Sequence, residues 1–403
     1  MKEPLEGVRI ADFSWVFAGP LTTKILADCG AAVIKIEGKT RIDGERGRHP
    51  YKDHIPGVNR ALDFNQNNTS KMSFALNLAH PKGIEIAKKL VKWSDIVVEN
   101  FAGGVMERLG LDYGELKKVK PDIIMLSACM QGQTGPHALH PGYGHQLTAL
   151  AGYHHIVGWP DRRPQHFQVY TDWITPYFTI LAMLSALDYH RRTGKGQYFD
   201  MSQYETSVQF ISHLMLDYHV NGRIALRNGN RCDYAAPHGA YRCRGGEDRW
   251  CAIAVFSDEE WQSFCRVLGN PQWTKELRFA TPLARKQNED ELDKLVEAWT
   301  VDYLAEEVMV IMQAARVSAG LVENQEDSLD KDAQLKYAGF YQMVNHPEVG
   351  NYHSPRPSFL MSKTGFEVRS APLLGEHNDY ICKQILGMSD DEIADLIVEG
   401  VIE

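Results

Sequence analysis

Residues 8–37 constrain the fold more than any other stretch of the chain. Residues 8–13 (Val-Arg-Ile-Ala-Asp-Phe) alternate as a strand does. Ala18-Gly19-Pro20 is a turn whose proline is placed to open a helix, and residues 21–28 continue that helix until Cys29-Gly30 stops it. Residues 32–37 (Ala-Val-Ile-Lys-Ile-Glu) form the next strand. A strand–helix–strand unit of about 30 residues implies parallel strands. The pattern recurs, with a helix over 81–93 leading to a strand at 95–99 and a helix over 114–118 leading to a strand at 123–127. The alternation predicts an α/β fold built on an open sheet.

Two stretches break the alternation. Residues 38–68, rich in Gly, Arg, Asp, His and Asn, read as a long loop, and residues 130–144 carry four glycines and two prolines. Loops of that length inside a compact domain are usually functional. Long helices follow near 173–192 and 202–220, joined by the turn Thr193-Gly-Lys-Gly-Gln197. Composition shifts after Asn221. Residues 222–233 read as a linker, 239–243 and 250–256 as a β-hairpin, and helices then run to about 315. The last fifteen residues, 389–403, read as a short acidic helix.

Charge and cysteine content narrow the function classes. The 43 Lys and Arg against 52 Asp and Glu leave a net charge of −9, which argues against nucleic acid as a partner. No apolar h-region follows Met1, and residues 173–187, the most apolar run, are broken by Pro176 and polar side chains. Neither a signal peptide nor a membrane span is expected. Seven cysteines without a CxxC pair fit reduced thiols in the cytoplasm. Gly142-Tyr-Gly144 lacks the third glycine of a dinucleotide fingerprint, and Gly194-Lys-Gly196 is not a Walker A loop. His137, His140, His154 and His155 have no third ligand at a metal-site spacing, so no metal is expected.

One stretch carries chemistry. In Gln168-Val-Tyr-Thr-Asp172-Trp-Ile-Thr-Pro176 a carboxylate meets the start of a long apolar helix. The plain reading is an N-cap. The alternative is a carboxylate kept ionised by the helix dipole and ready to attack an acyl group delivered to it.

The chain resembles the class III coenzyme A transferases, the family of formyl-CoA transferase and carnitine CoA-transferase. The resemblance rests on ordered motifs: Pro4-Leu-Glu-Gly-Val-Arg-Ile with Asp12-Phe13 and Ala18-Gly19-Pro20; Gly30-Ala-Ala-Val-Ile-Lys-Ile-Glu37; Val98-Glu-Asn-Phe101 with Arg108-Leu-Gly-Leu; Thr193-Gly-Lys-Gly-Gln197; and Ala371-Pro-Leu-Leu-Gly-Glu-His377. Together they span nearly the whole chain. It implies a doubly wound large domain made by both chain ends, 1–222 and 330–403, with a smaller α+β domain at 223–329, in an interlocked dimer. The homodimer has a hetero-oligomer with a related subunit as its alternative.

The resemblance also assigns residues. Asp172 falls on the catalytic aspartate. Val16, Ala18, Asn100, Phe101 and Arg108 fall on coenzyme-contacting positions, Leu76 on the adenine-side loop, and Tyr143 near the reacting carbonyl. Arg41 lies near the family's basic residue after the second strand. A lysine common after the adenine-side loop is replaced here near Ala79, and the glycine-rich lid of the formyl enzyme has no counterpart, the shorter Ala235-Ala-Pro-His-Gly239 standing in that region. Arg41, Lys71 and Arg108 are expected to meet the phosphates of CoA. No tightly bound cofactor is implied; CoA thioesters are the substrates. Asp172 would form an aspartyl anhydride and then an aspartyl-CoA thioester. Trp15, Phe17 and His145 are expected to line an acceptor pocket for a bulky or aryl acid, with a lean toward the succinyl-CoA:benzylsuccinate branch. The rival readings are an α-methylacyl-CoA racemase on the same fold and a CoA-binding subunit without its own chemistry.

Overall fold

The computed structural model of the chain describes residues 3–246 and 248–403, which form two compact units. The first comprises residues up to 154, 166–224 and 335–403; the second comprises 155–165 and 225–334. Residues 155–165, expected in the large domain, thus belong to the second unit.

The first unit is built on a six-stranded parallel sheet. Its strands are β1 (Arg9–Asp12), β2 (Ala32–Glu37), β3 (Met72–Ala75), β4 (Ile96–Glu99), β5 (Ile124–Cys129) and β6 (Tyr198–Ser202). Their order is β3-β2-β1-β4-β5-β6, the doubly wound arrangement that reverses direction between β1 and β4. The central strands are buried on both faces, as parallel sheets require. One face packs Ile10, Val33, Val98 and Leu126 against the Ala18–Asp28 and Tyr170–Thr193 helices. The other packs Ala11, Ile34, Val97 and Met125 with the Pro81–Trp93 helix and the C-terminal Ile381, Ile393 and Ile402. Both chain ends therefore share one core. β3, β6 and the hairpin of β10 (Tyr341–His346) and β11 (Gly350–Pro355) were not expected from sequence. The 202–220 helix is two helices, Gln203–Phe210 and Ser212–Asn221.

The second unit carries the antiparallel sheet β7 (His238–Arg242), β8 (Trp250–Ala254) and β9 (Ser318–Leu321). Tyr241, Cys251, Ile253, Trp261 and Phe264 form its core with the helices that follow. Among the described residues no helix is long and apolar enough to cross a membrane.

Beneath the carboxyl ends of β1 and β2 lies a chain of buried charges. Lys71 Nζ donates to Asp12 Oδ2 at 3.0 Å, to the Pro20 carbonyl at 2.9 Å and to Asn68 Oδ1 at 2.9 Å. These bonds use all three ammonium donors. Lys35 Nζ donates to Asp43 Oδ2 and the Ser14 carbonyl, both at 2.8 Å. Arg46 forks onto Glu37, with Nη2 to Oε1 at 2.8 Å and Nε to Oε2 at 3.0 Å, and lies 3.6 Å from the centre of the Phe64 ring. Burial pushes the Asp12 carboxyl up, but Lys71 and Lys35 outweigh it and hold it below the usual range. Burial pulls the Lys71 ammonium down to about 8 against the pull of Asp12. Lys71 was expected to face the CoA phosphates. The structure corrects this: its ammonium is sealed from solvent and fully spent inside the fold.

Removing one member of such a network strands its partner's charge in the core, which costs about 3–5 kcal/mol. Lys71→Met is expected to lose stability on that scale in urea denaturation. Arg41→Met, at an exposed site, is expected to stay within about 0.5 kcal/mol. Equal midpoints for the two variants would remove the network from its structural role.

Candidate active site

In doubly wound sheets, ligands bind beyond the carboxyl ends of the strands where the order reverses. Here that point lies between β1 and β4, and most of the residues singled out from sequence lie in the loops and helix starts that follow the carboxyl ends of its strands. Trp15, Val16, Phe17 and Ala18 follow β1; Arg41 follows β2; Asn100, Phe101 and Arg108 follow β4; Tyr143 and His145 follow β5.

The loop after β1 is held from two sides. Asn100 clasps the peptide of Trp15, with Oδ1 accepting its N–H at 2.8 Å and Nδ2 donating to its carbonyl at 2.7 Å. Asp43 Oδ1 accepts the Val16 N–H at 2.8 Å. Val16 has φ +66°, a strained conformation for a β-branched residue that persists because these contacts over-determine it. The loop runs into the Ala18–Asp28 helix, which has no side-chain cap. The N–H groups of Phe17 and Ala18 accordingly have no acceptor among the described residues. Ala18 itself is buried, so a ligand there meets backbone. The Asn100 amide thus positions the loop at the place where coenzyme contact is expected.

Asp172 lies in the first turn of the Tyr170–Thr193 helix, not at its cap. The cap position is Val169, and no side chain caps the helix. The simple capping reading is therefore overturned. Pro176, four residues on, has no N–H to give to the Asp172 carbonyl, so the helix is opened at this point. The Asp172 carboxyl accepts no hydrogen bond among the described residues. It lies so close to Gly144 that a Cβ there would come within 2.4 Å of Asp172 Oδ2, so only glycine fits. The Gly144 carbonyl is fixed by Thr148 Oγ1 at 2.6 Å. Burial pushes the Asp172 carboxyl up to about 7, against a downward pull from Arg48. The helix dipole, expected to keep the acid ionised, is outweighed by this loss of solvent.

Two aromatic pairs are formed by residues singled out from sequence. Phe17 meets Trp173 edge-on with centroids 4.5 Å apart, and Trp15 meets Phe101 at 5.4 Å. Tyr143 is exposed, with the Arg48 guanidinium 5.5 Å from its ring centre. The exposed His145 contacts His166. Arg41 and Arg108 are exposed cations without an ion-pair partner among the described residues. Leu76 is displaced from its expected role: its side chain is in the core at 1% exposure and its N–H is bonded to the Glu37 carbonyl. Among the described residues no group of three or more His, Cys, Asp or Glu is placed to hold a metal ion.

Three contributors were not singled out from sequence. Arg48 and Asp43 lie in the 38–68 loop, whose length marked it as functional but whose arginines look alike on paper. The contact of Gly144 with Asp172 links positions 28 residues apart that no local pattern connects.

Residues 5–378 match the family model described as CoA-transferase family III. The chain is 32% identical to succinyl-CoA–D-citramalate CoA-transferase of Chloroflexus aurantiacus, over 99% of this chain and 98% of that protein. It is 31% identical to succinyl-CoA:glutarate CoA-transferase of Mus musculus, over 100% of this chain and 91% of that protein. A CaiB/BaiF-family protein from Brucella suis, known from a crystal structure, superposes with a TM-score of 0.87 at 28% identity, covering 96% of this chain and 100% of its own. With a parallel α/β sheet, an unpartnered acid at its switch point and family motifs from end to end, the chain belongs to the family III CoA-transferases.

Proposed function

We propose that this enzyme moves CoA from succinyl-CoA to a dicarboxylic acid, with Asp172 as the covalent relay. The observation that carries the reading is the Asp172 carboxyl itself: desolvated, without a hydrogen-bonding partner among the described residues, and pressed against Gly144. The substrate class is supported by the relatives, whose names specify succinyl-CoA with citramalate or glutarate.

The ionised acid attacks the thioester carbonyl, giving a mixed anhydride and CoA thiolate. The thiolate attacks the aspartyl carbonyl, releases the donor acid and forms an aspartyl-CoA thioester. The acceptor carboxylate then attacks, and the steps run in reverse to the new acyl-CoA. The open N–H groups of Phe17 and Ala18 supply oxyanion donors, and Arg41 and Arg108 supply cations for the CoA phosphates. Phenyl-substituted dicarboxylic acids are a second reading, carried by the Phe17–Trp173 pair.

The partner is a second copy of the chain. The Tyr170–Thr193 helix leaves Trp173, Tyr177, Leu181 and Leu184 exposed in one stripe, and part of it lines an apolar groove of about 440 Å³. That stripe is expected to be covered in a stable dimer. Light scattering of an active monomer would overturn this.

The nucleophile is tested by substitution. Asp172→Asn and Asp172→Ala are both expected to lose transfer by at least about a thousandfold while keeping the fold, since neither can form an anhydride. Hydroxylamine added to wild-type enzyme with succinyl-CoA is expected to leave a hydroxamate on the peptide containing Asp172. An active Asn variant and an unmodified peptide would sink the mechanism.

The pH profile follows from the same acid. The attacking form is ionised, so kcat/KM is expected to rise with pH and level off above about 7, where burial places Asp172. A flat profile between pH 5 and 8 would contradict the buried carboxylate as nucleophile.

A further inference from the structure

Arg48 is the charged side chain whose field reaches Asp172, yet the fold does not account for it. It follows the short turn Gly44–Gly47, and its side chain is 49% exposed. Its guanidinium donates no hydrogen bond among the described residues. The nearest carboxylate oxygen, Glu45 Oε1, stands at 3.8 Å, beyond hydrogen-bond distance. Glu45 is also a poor counter-charge, because burial and the neighbouring Asp43 and Asp63 push its carboxyl up to about 7. The guanidinium therefore keeps its full fork of donors unspent, while its edge of the site is fixed by the Tyr143 ring 5.5 Å away.

We propose that Arg48 is the specificity-determining residue that grips the second carboxylate of a dicarboxylic substrate while the first reacts at Asp172. This rests on the dicarboxylic reading above and gives it a residue. The chemistry is a charge-assisted, two-point bond between a planar guanidinium and a planar carboxylate. It explains why an arginine whose carboxylate contact, to Glu45, is too long for a hydrogen bond acts on a nucleophile that is itself anionic when active: the substrate brings a net negative charge in, and Arg48 offsets it. Arg46, two residues earlier, has the same chemistry but is consumed by Glu37 inside the core.

The test compares acceptor acids of equal length on the intact enzyme. The kcat/KM values for glutarate and for pentanoate are measured with succinyl-CoA as donor, in wild type, Arg48→Lys and Arg48→Met. Wild type is expected to favour glutarate strongly. Arg48→Met is expected to lower kcat/KM for glutarate about 10- to 100-fold, the scale of a lost hydrogen-bonded charge pair, with far less effect on pentanoate. Arg48→Lys is expected to fall between. Retained turnover of pentanoate shows that the variant is folded. A parallel loss on both acids, with the glutarate-to-pentanoate ratio unchanged, would overturn the proposal and leave Arg48 acting through Asp172 or the loop. A wild-type enzyme that takes monoacids and rejects glutarate and succinyl-CoA would overturn the dicarboxylic reading, and this proposal with it.

Discussion

The buried chain of charges from Asp12 to Arg46 is the constraint on which the site depends. Three cations, Lys71, Lys35 and Arg46, alternate with three anions, Asp12, Asp43 and Glu37, with no solvent to screen them. Each ion costs several kcal/mol to bury, and the cost is offset only while every partner is present with good geometry. Such a network has few alternative arrangements. It fixes the carboxyl ends of β1 and β2 and the first turns of both loops that leave them.

That rigidity is passed to the chemistry through Asp43. One of its oxygens holds Lys35, and the other takes the N–H groups of Val16 at 2.8 Å and Glu45 at 3.0 Å. A single carboxylate thereby sets the strained Val16 backbone, which precedes the open N–H groups of Phe17 and Ala18, and the turn that ends at Arg48. The Asn100 clasp brings in β4 from the other side of the sheet reversal. The family motifs divide along the same line. Pro372 accepts from Arg46, Gly375 donates to Ser73 Oγ at 3.0 Å, and the His377 ring accepts the Ser73 N–H at 3.2 Å. The Ala371–His377 stretch is thus a strap that closes the core around β3, remote from the acid.

What was legible in the sequence was what repeats locally. The β1–helix–β2 unit, the helices at Pro81–Trp93 and Tyr170–Thr193, and β4 and β5 each announce themselves by period or by a stop signal. β3 did not, because four residues with a serine among them carry too little pattern. Asp172 was legible only through its resemblance; from position alone it read as a cap, and the structure places it past the cap. Lys71 and Leu76 were misplaced for a common reason. A lysine and a leucine beside a site look alike in sequence whether they face the ligand or the core, and only long-range partners such as Asp12 and Ile402 decide. Arg41, Arg46 and Arg48 make the point within eight residues: one is free in solvent, one is buried on Glu37, and one stands by the nucleophile.

The raised pKa of Asp172 reconciles two demands that oppose each other. A transferase must keep the energy of the thioester, so the acid has to react where water is scarce, yet a carboxylate out of water resists ionising. At about 7, half of the molecules hold the reactive anion near neutral pH, a loss of only about twofold in population. The anion that does form is held roughly 4 kcal/mol above its level in water, and forming the anhydride removes the charge and relieves that cost. Gly144 keeps bulk and a side-chain donor away from the carboxyl, which accepts no hydrogen bond among the described residues. A polar side chain at 144 would bring a donor to the acid, lower its pKa and dull its attack. Glycine there is as much a part of the nucleophile as the aspartate it touches.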